Sequence, residues 1–284
     1  MVNKPDSATE PSQDVLAPAR PDMKNKTKVL ILSTRGVTTR FRHLMEDLLK
    51  ILPHAKKESK LDSKDRLHVA TEIAELRNCD LVMLFESRKR QDLYLWLAKS
   101  PFGPSIKFHI ANLHTMDELS FSGNNLMHSR PLLTFDPGFD ETPIMRLVKE
   151  ILSQTFSAPA GHRRTKPFVD HIISFSLVDG RIWFRHYQIV DAALDEKVID
   201  KSVESTLVEI GPRFVMAPIK CFSGGFNGAT LWENGAYVSP NEVRRAVRKR
   251  EGDKTLGKMH QRTKRSKHVE ANKIVHDPIH KVFR

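Results

Sequence analysis

Hydrophobic residues first gather at Val29, Leu30, Ile31 and Leu32, a continuous run bounded by Ser33, Thr34 and Gly36. A run that short and that uniformly apolar predicts a strand buried on both faces. Phe41, Leu44, Met45, Leu48, Leu49 and Leu52 then recur at helical spacing and stop at Pro53, which predicts an amphipathic helix. A second helix is expected from Lys64 to Arg77 with Ser63 as its cap. A buried strand is expected from Leu81 to Phe85, a short helix over Gln91 to Ala98, and strands at Ile106 to Ile110 and Pro131 to Phe135. Pro143 to Phe156 predicts a helix with Ile144, Leu147, Val148, Ile151 and Leu152 on one face. Strands alternating with helices predict an α/β fold with a largely parallel sheet.

The pattern changes near Ser157. Residues 157–166 mix Pro and Gly with Arg163, Arg164 and Lys166 and read as an exposed linker. Beyond it strands dominate: His171 to Val178 alternates, Asp179-Gly180 is a two-residue hairpin signal, and Arg181 to Ile189 supplies the returning strand. Further strands are expected at Ser205 to Ile210, Phe214 to Phe222 and Ala229 to Leu231, and a helix from Pro240 through Arg250. The chain therefore divides into a disordered leader (1–26), a first α/β half (27–157), a second half (158–250) and a tail (251–284). The tail lacks apolar periodicity and reads as disordered. No fixed-period repeat is visible.

Charge sharpens this division. The 284 residues carry a net charge of +12, and about +10 of it lies between Val243 and Arg284, leaving the folded body close to neutral. The balance favours polyanionic partners, nucleic acid first. Cys79 and Cys221 stand alone, without zinc spacing, and read as reduced, buried thiols of an intracellular protein. No apolar run approaches the ~20 residues of a membrane span, and the N-terminus lacks the apolar core of a signal peptide.

Motifs of catalysis are absent: there is no HExxH, GxSxG or strand-linked GxGxxG. Gly252 to Met259 reads G-x-x-x-x-G-K-Met, with Met where a nucleotide loop needs Ser or Thr for magnesium, and it follows no strand. The 13 histidines are scattered. The expectation is a protein with no catalytic residues, no metal, no cofactor and no small-molecule substrate.

The more informative signal is on the hairpin's returning strand. Arg181, Trp183, Arg185, Tyr187 and Ile189 share one face, and Ile182, Phe184 and His186 the other. Aromatics interleaved with arginines suit stacking on unpaired bases with phosphate contact, and equally suit packing beneath a neighbouring helix. Basic clusters occur at Arg35, Arg40 and Arg42, at Lys56, Lys57 and Lys60, and at Arg88, Lys89 and Arg90. Two of them follow buried strands, where open α/β sheets place ligand surfaces. With Arg163, Arg164, Lys166, Arg213, and Arg244, Arg245, Arg248, Lys249 and Arg250 near the C-terminus, these form the expected RNA-binding set.

Several blocks resemble the Brix domain family. They begin with Ser33-Thr34-Arg35-Gly36, Arg42-His43-Leu44-Met45-Glu46-Asp47-Leu48 and Leu52-Pro53-His54-Ala55-Lys56-Lys57. Next come Ile173-Ser174-Phe175-Ser176, Asp179-Gly180-Arg181-Ile182-Trp183-Phe184-Arg185 and Glu209-Ile210-Gly211-Pro212-Arg213-Phe214. Trp232-Glu233-Asn234 and Tyr237-Val238-Ser239-Pro240-Asn241 complete the set, over about Lys28 to Arg250. The resemblance implies two packed α/β halves, each similar to the anticodon-binding domain of class II aminoacyl-tRNA synthetases. It also implies a nucleolar assembly factor of the large ribosomal subunit, whose partners are precursor ribosomal RNA, the pre-60S particle and other assembly proteins, with no membrane. Gly211, Pro212 and Arg213 would form a tight turn, either presenting Arg213 or serving structure alone.

Overall fold

The computed structural model describes residues 27–61, 67–119, 121–159, 162–190, 206–273 and 282. The expected leader, the capping Ser63 and most of the chain beyond residue 273 lie outside them.

Strand β1 (Val29–Ser33) is buried at every position, as its uniform apolarity requires. Helix α1 (Thr39–Ile51) buries Phe41, Leu44, Met45, Leu48 and Ile51; it closes where the Leu52 amide donates to the Leu48 carbonyl and Pro53 forbids continuation. Strand β2 (Ala55–Lys57) and helix α2 (Val69–Leu76) follow, the latter shorter than expected. Then come β3 (Leu81–Arg88), β4 (Asp92–Lys99) and β5 (Ser105–His114). After a long connection come β6 (Pro131–Phe135) and helix α3 (Pro143–Phe156), whose capping Thr142 hydroxyl accepts from the Met145 amide at 3.3 Å. Strands β7 (His171–Val178), β8 (Arg181–Val190), β9 (Thr206–Glu209), β10 (Arg213–Phe222) and β11 (Thr230–Glu233) complete the body.

Two expectations need correction here. The segment expected as a helix at Gln91 to Ala98 is strand β4, buried on both faces from Asp92 to Ala98. A strand without a polar face has no period-2 signal, and its hairpin turn runs through Lys89 and Arg90 at φ 52° and 56°, residues that advertise no turn. Nor is the sheet largely parallel. All eleven strands join one sheet, with the path β2-β1-β3-β4-β5-β10-β8-β7-β6. Among the described strands only β1 with β2, β1 with β3, and β6 with β7 pair in parallel.

The path reveals one layout used twice. In the first part β1 leads through α1 and later pairs parallel with β3, which is followed by antiparallel β4 and β5. In the second, β6 leads through α3 to parallel β7, followed by antiparallel β8 and β10. The two parts meet where β5 and β10 pair antiparallel at the centre of the sheet. Strand β6 and helix α3 thus group by pairing with β7, so residue 157 lies inside the second layout.

One face of the sheet carries the main core, where α1 and α3 pack on Phe85, Phe108, Phe175, Phe184 and Phe214. The opposite face has a second core only in the first part: Leu30, Leu32, Val82, Leu84 and Trp96 against Ala70 and Ala74 of α2 and Phe226.

Residues 234–284 form a separate compact unit. Its helix α4 (Pro240–Ala271) starts at Ser239, whose hydroxyl accepts from the Glu242 amide at 3.3 Å, and buries no residue. The expected disordered tail is therefore helical as far as Ala271. Lys, Arg, Gln, Met and Leu are good helix formers, so propensity sustains the helix where an apolar stripe is missing. Gly252 and Gly257 lie within it, so the G-x-x-x-x-G-K stretch forms no phosphate loop.

Candidate functional site

The returning strand β8 alternates as its sequence requires: Ile182, Phe184 and His186 are buried, while Trp183, Arg185 and Tyr187 are half-buried on the opposite face. The reading in which Trp183 and Tyr187 pack beneath a helix does not hold within this unit. Helices α1 and α3 belong to the main core and α2 to the second one, and neither core includes Trp183 or Tyr187.

This face has a built shape. A cavity of about 210 Å³ is lined by Asn112, His114, Trp183, Arg185 and Arg213. The Arg185 guanidinium lies 5.8 Å from the Trp183 ring centre, a cation–π arrangement. Between the two arginines stands Glu209, its carboxylate 3.4 Å from Arg185 and 3.5 Å from Arg213. It orients both guanidiniums while leaving one positive charge in excess. On the facing side β5 slips register against β10 between Arg213 and Val215, and Asn112 takes φ 48°. Such a bulge re-aims side chains, here at the cavity rim.

Arg213 is delivered by the Gly211-Pro212 turn. Gly211 has φ 80°, and a Cβ there would lie 2.6 Å from the Phe121 ring, so only glycine fits. Its carbonyl accepts from His186 Nδ1 at 2.6 Å. Burial holds the His186 imidazole neutral by pushing its pKa down to about 4.

The other expected residues fall into five groups. Lys56, Lys57 and Arg164, from distant parts of the sequence, line one cavity of about 650 Å³ together with Arg77 and His128. Sequence reasoning missed those two: Arg77 follows the end of a helix, and His128 carries no local signal. Arg88, Lys89 and Arg90 crowd the exposed β3–β4 turn. Arg40 is occupied structurally, bonding the Glu118 carboxylate at 2.8 Å and the Leu113 carbonyl. Arg35, Arg42, Lys60, Arg163, Lys166 and Arg181 are exposed but join neither cavity. Arg245, Arg248, Lys249 and Arg250 are exposed on α4, where Arg244 donates to Asn241 at 2.8 Å.

One constellation imitates an enzyme. His171 Nδ1 lies 3.0 Å from the Ser129 hydroxyl and 2.7 Å from the Asp170 carboxylate. Both partners meet the same ring nitrogen, and the ring is completely buried, so it cannot relay a proton from the serine through the ring as a catalytic triad does. Among the described residues no group of three or more His, Cys, Asp or Glu could hold a metal ion.

The Brix domain matches residues 34–220. The chain is 48% identical over 259 residues to "Ribosome biogenesis protein brx1" of Schizosaccharomyces pombe, covering 91% of this chain and 86% of that protein. It is 47% identical over 256 residues to "Ribosome biogenesis protein BRX1" of Saccharomyces cerevisiae, covering 90% and 88%. The Xenopus laevis relative, "Ribosome biogenesis protein BRX1 homolog", is 52% identical over 225 residues; these cover 79% of this chain but only 63% of that longer protein. A solved structure, a probable ribosomal biogenesis protein from Aeropyrum pernix K1, aligns with 67% of this chain and 96% of its own at TM-score 0.45 and 12% identity, too distant to bear on the fold. A domain match across most of the body, joined to relatives at about half identity over nearly the whole chain, places this protein in the Brix domain family.

Proposed function

We propose that this protein is a non-catalytic assembly factor in biogenesis of the large ribosomal subunit, acting in the nucleolus by binding precursor ribosomal RNA. The names of its relatives support ribosome biogenesis. RNA contact rests on one observation above all, the cavity that Trp183, Arg185 and Arg213 line together on a sheet face without a helical cover from its own unit. A half-buried indole beside a guanidinium suits an unpaired base and its phosphate. The anticodon-binding-like character of each half is likewise a proposal, supported by the repeated strand–helix–three-strand layout; by itself it says nothing of activity.

Electrostatic contact with RNA has a measurable signature. Affinity for ribosomal RNA fragments should fall steeply with salt, log K declining with log[salt] by about 0.7 per single-stranded phosphate contact. An affinity indifferent to salt would sink the electrostatic part of the proposal. A second reading, a protein-interaction scaffold with little RNA contact, is favoured by the exposed apolar side chains Leu126, Met127, Phe168 and Val169 in the second part. Crosslinking in cells separates the two. Retained partner capture without ribosomal RNA crosslinks would favour the scaffold.

A further inference from the structure

We infer that the cavity between β2, the end of α2 and the 162–166 loop is a phosphate-binding cleft that grips the backbone of a polynucleotide, an inference that rests on the RNA-binding reading. Four cationic side chains line it, Lys56, Lys57, Arg77 and Arg164, against one acid, Glu58. They come from a strand, a helix end and a loop far apart in sequence, and the fold alone unites them. Its volume of about 650 Å³ lies in the range of small-ligand sites, roughly 300–1,000 Å³.

The charges are poorly compensated. Glu58 is engaged by Arg77, whose Nε lies 2.7 Å from its carboxylate, and Lys57 makes only a long contact with Glu46 at 3.5 Å. Lys56 donates to the Arg77 carbonyl at 3.2 Å, a neutral partner that fixes the ammonium without cancelling its charge. The loop carrying Arg164 is fastened beside it: the Lys166 amide donates to the His128 carbonyl, and the Arg130 amide to the Phe168 carbonyl, both at 2.9 Å. His128 itself lines the cleft and keeps a buried Nδ1 without a hydrogen-bond partner among the described residues.

The field is felt by two neighbouring groups. Burial lowers the proton affinity of His162 most, and Arg164, Lys28 and His128 lower it further. Burial raises the Cys79 thiol, while Lys56, Lys28 and Arg77 act against that rise. Arg164 of the cleft thus acts on His162 and Lys56 and Arg77 on Cys79, while Lys28, outside the cleft, acts on both. An acidic peptide would also be attracted, but it would want an apolar anchor. The apolar lining residues Leu52 and Ala55 are buried, and Leu49 alone is partly open. A repeating phosphate chain needs no such anchor.

The test uses the full chain, a fluorescent single-stranded ribosomal RNA fragment and a salt titration. Lys56→Gln, Arg77→Gln and Arg164→Gln should each weaken binding about 2- to 5-fold and lower the salt slope by about one contact; the triple variant should lose about 10- to 50-fold at an unchanged melting temperature. Arg164→Gln alone guards against misfolding, because its side chain is exposed on a loop. A triple variant that binds RNA with the parent's affinity and slope overturns the cleft and leaves the RNA-binding reading intact. A parent that binds no RNA overturns that reading and the cleft with it. Loss of polyglutamate binding with RNA binding unchanged assigns the cleft to acidic protein and also overturns the inference.

Discussion

The two parts of the sheet can be compared position by position, because their hairpins set a common register. Counting back from each turn, Glu86, Leu84 and Val82 of β3 correspond to Ser176, Ser174 and Ile172 of β7, and Tyr94 and Trp96 of β4 to Trp183 and Arg185 of β8. Leu30 and Leu32 of β1 correspond to Leu132 and Thr134 of β6. In the first part these outward positions are closed: Leu30 and Leu32 are wholly buried, and Trp96 stacks on Phe222 at 5.7 Å. Lys107, half-buried, lies against the Tyr94 and Trp96 rings, at 4.8 and 4.6 Å, and pairs with Glu86 at 3.0 Å. In the second part Leu132 is half exposed and the cations beside the aromatic ring remain reachable. Where the first part inserts α2 before its second core strand, the second has the loop 162–170 with Arg163, Arg164 and Lys166. One layout thus serves two ends. The face covered by a helix of its own unit adds stability, and the face without one is the surface proposed above for RNA contact.

The sharpest way to break this contrast is to truncate the corresponding aromatic positions. Trp96→Ala should cost about 3–5 kcal/mol in urea unfolding, as loss of a buried, stacked indole does. Trp183→Ala should cost under about 1.5 kcal/mol yet weaken RNA binding by about 1–3 kcal/mol, the range of base stacking. Equal stability losses at the two positions would erase the distinction.

The cores differ as well. His171 and His186 stand where the first part has Leu81 and Leu97, and their rings lie 5.0 Å apart. The His186 pKa is pushed down to about 4 by burial, against 6.5 for the ordinary imidazole. Between those values the unfolded chain binds a proton that the folded one refuses. Stability is therefore full above pH 6.5 and declines toward pH 4, by about 2–3 kcal/mol for this group between pH 7 and 4.5. His54, likewise held at about 4 by burial, adds a similar loss in the first part. Urea midpoints at the two pH values measure the sum. His186→Leu, which imports the first part's residue, should remove its share of the acid limb while lowering neutral stability by about 1–2 kcal/mol, because the Gly211 carbonyl loses its donor.

The smallest effect lies at the turns. Asp179-Gly180 suits its positive φ values of 51° and 67°, whereas Lys89 and Arg90 hold φ 52° and 56° without glycine. A non-glycine residue there costs about 1–2 kcal/mol. Arg90→Gly should therefore stabilise the fold by about 0.5–1 kcal/mol. If the strained turn displays its charges to RNA, the same variant should weaken RNA binding about 2- to 3-fold. A gain in stability with unchanged affinity would make that turn merely strained.

What could be read before the structure follows the same divide. Strand β1, helices α1 and α3 and the β7–β8 hairpin were legible because each carries a clean period or an unmistakable turn. Strand β4 was not, since burial on both faces erased its alternation and Lys89-Arg90 concealed its turn. The mixed sheet was hidden for that reason: a helix over Gln91 to Ala98 implied crossovers where hairpins stand. Helix α4 past Arg250 escaped a reading based on apolar stripes, because propensity alone sustains it. Individual basic residues were visible, but the meeting of Lys56 and Arg164 with Arg77 and His128 depends on tertiary closure, which no local pattern encodes.

The position of β10 has a consequence for synthesis. It is nearly the last strand of the body to leave the ribosome, yet it fills the centre of the sheet between β5 and β8. Until Arg213 to Phe222 emerges, β5 presents a long unpaired backbone edge and β8 a short one beside β9, and β5 waits through more than a hundred further residues, about 5–20 s at ordinary elongation rates. A nascent chain stalled before Arg213 would thus carry two half-sheets without the strand that links them, an invitation to strand pairing between molecules. The protein becomes safe to release only when its second half has closed on its first.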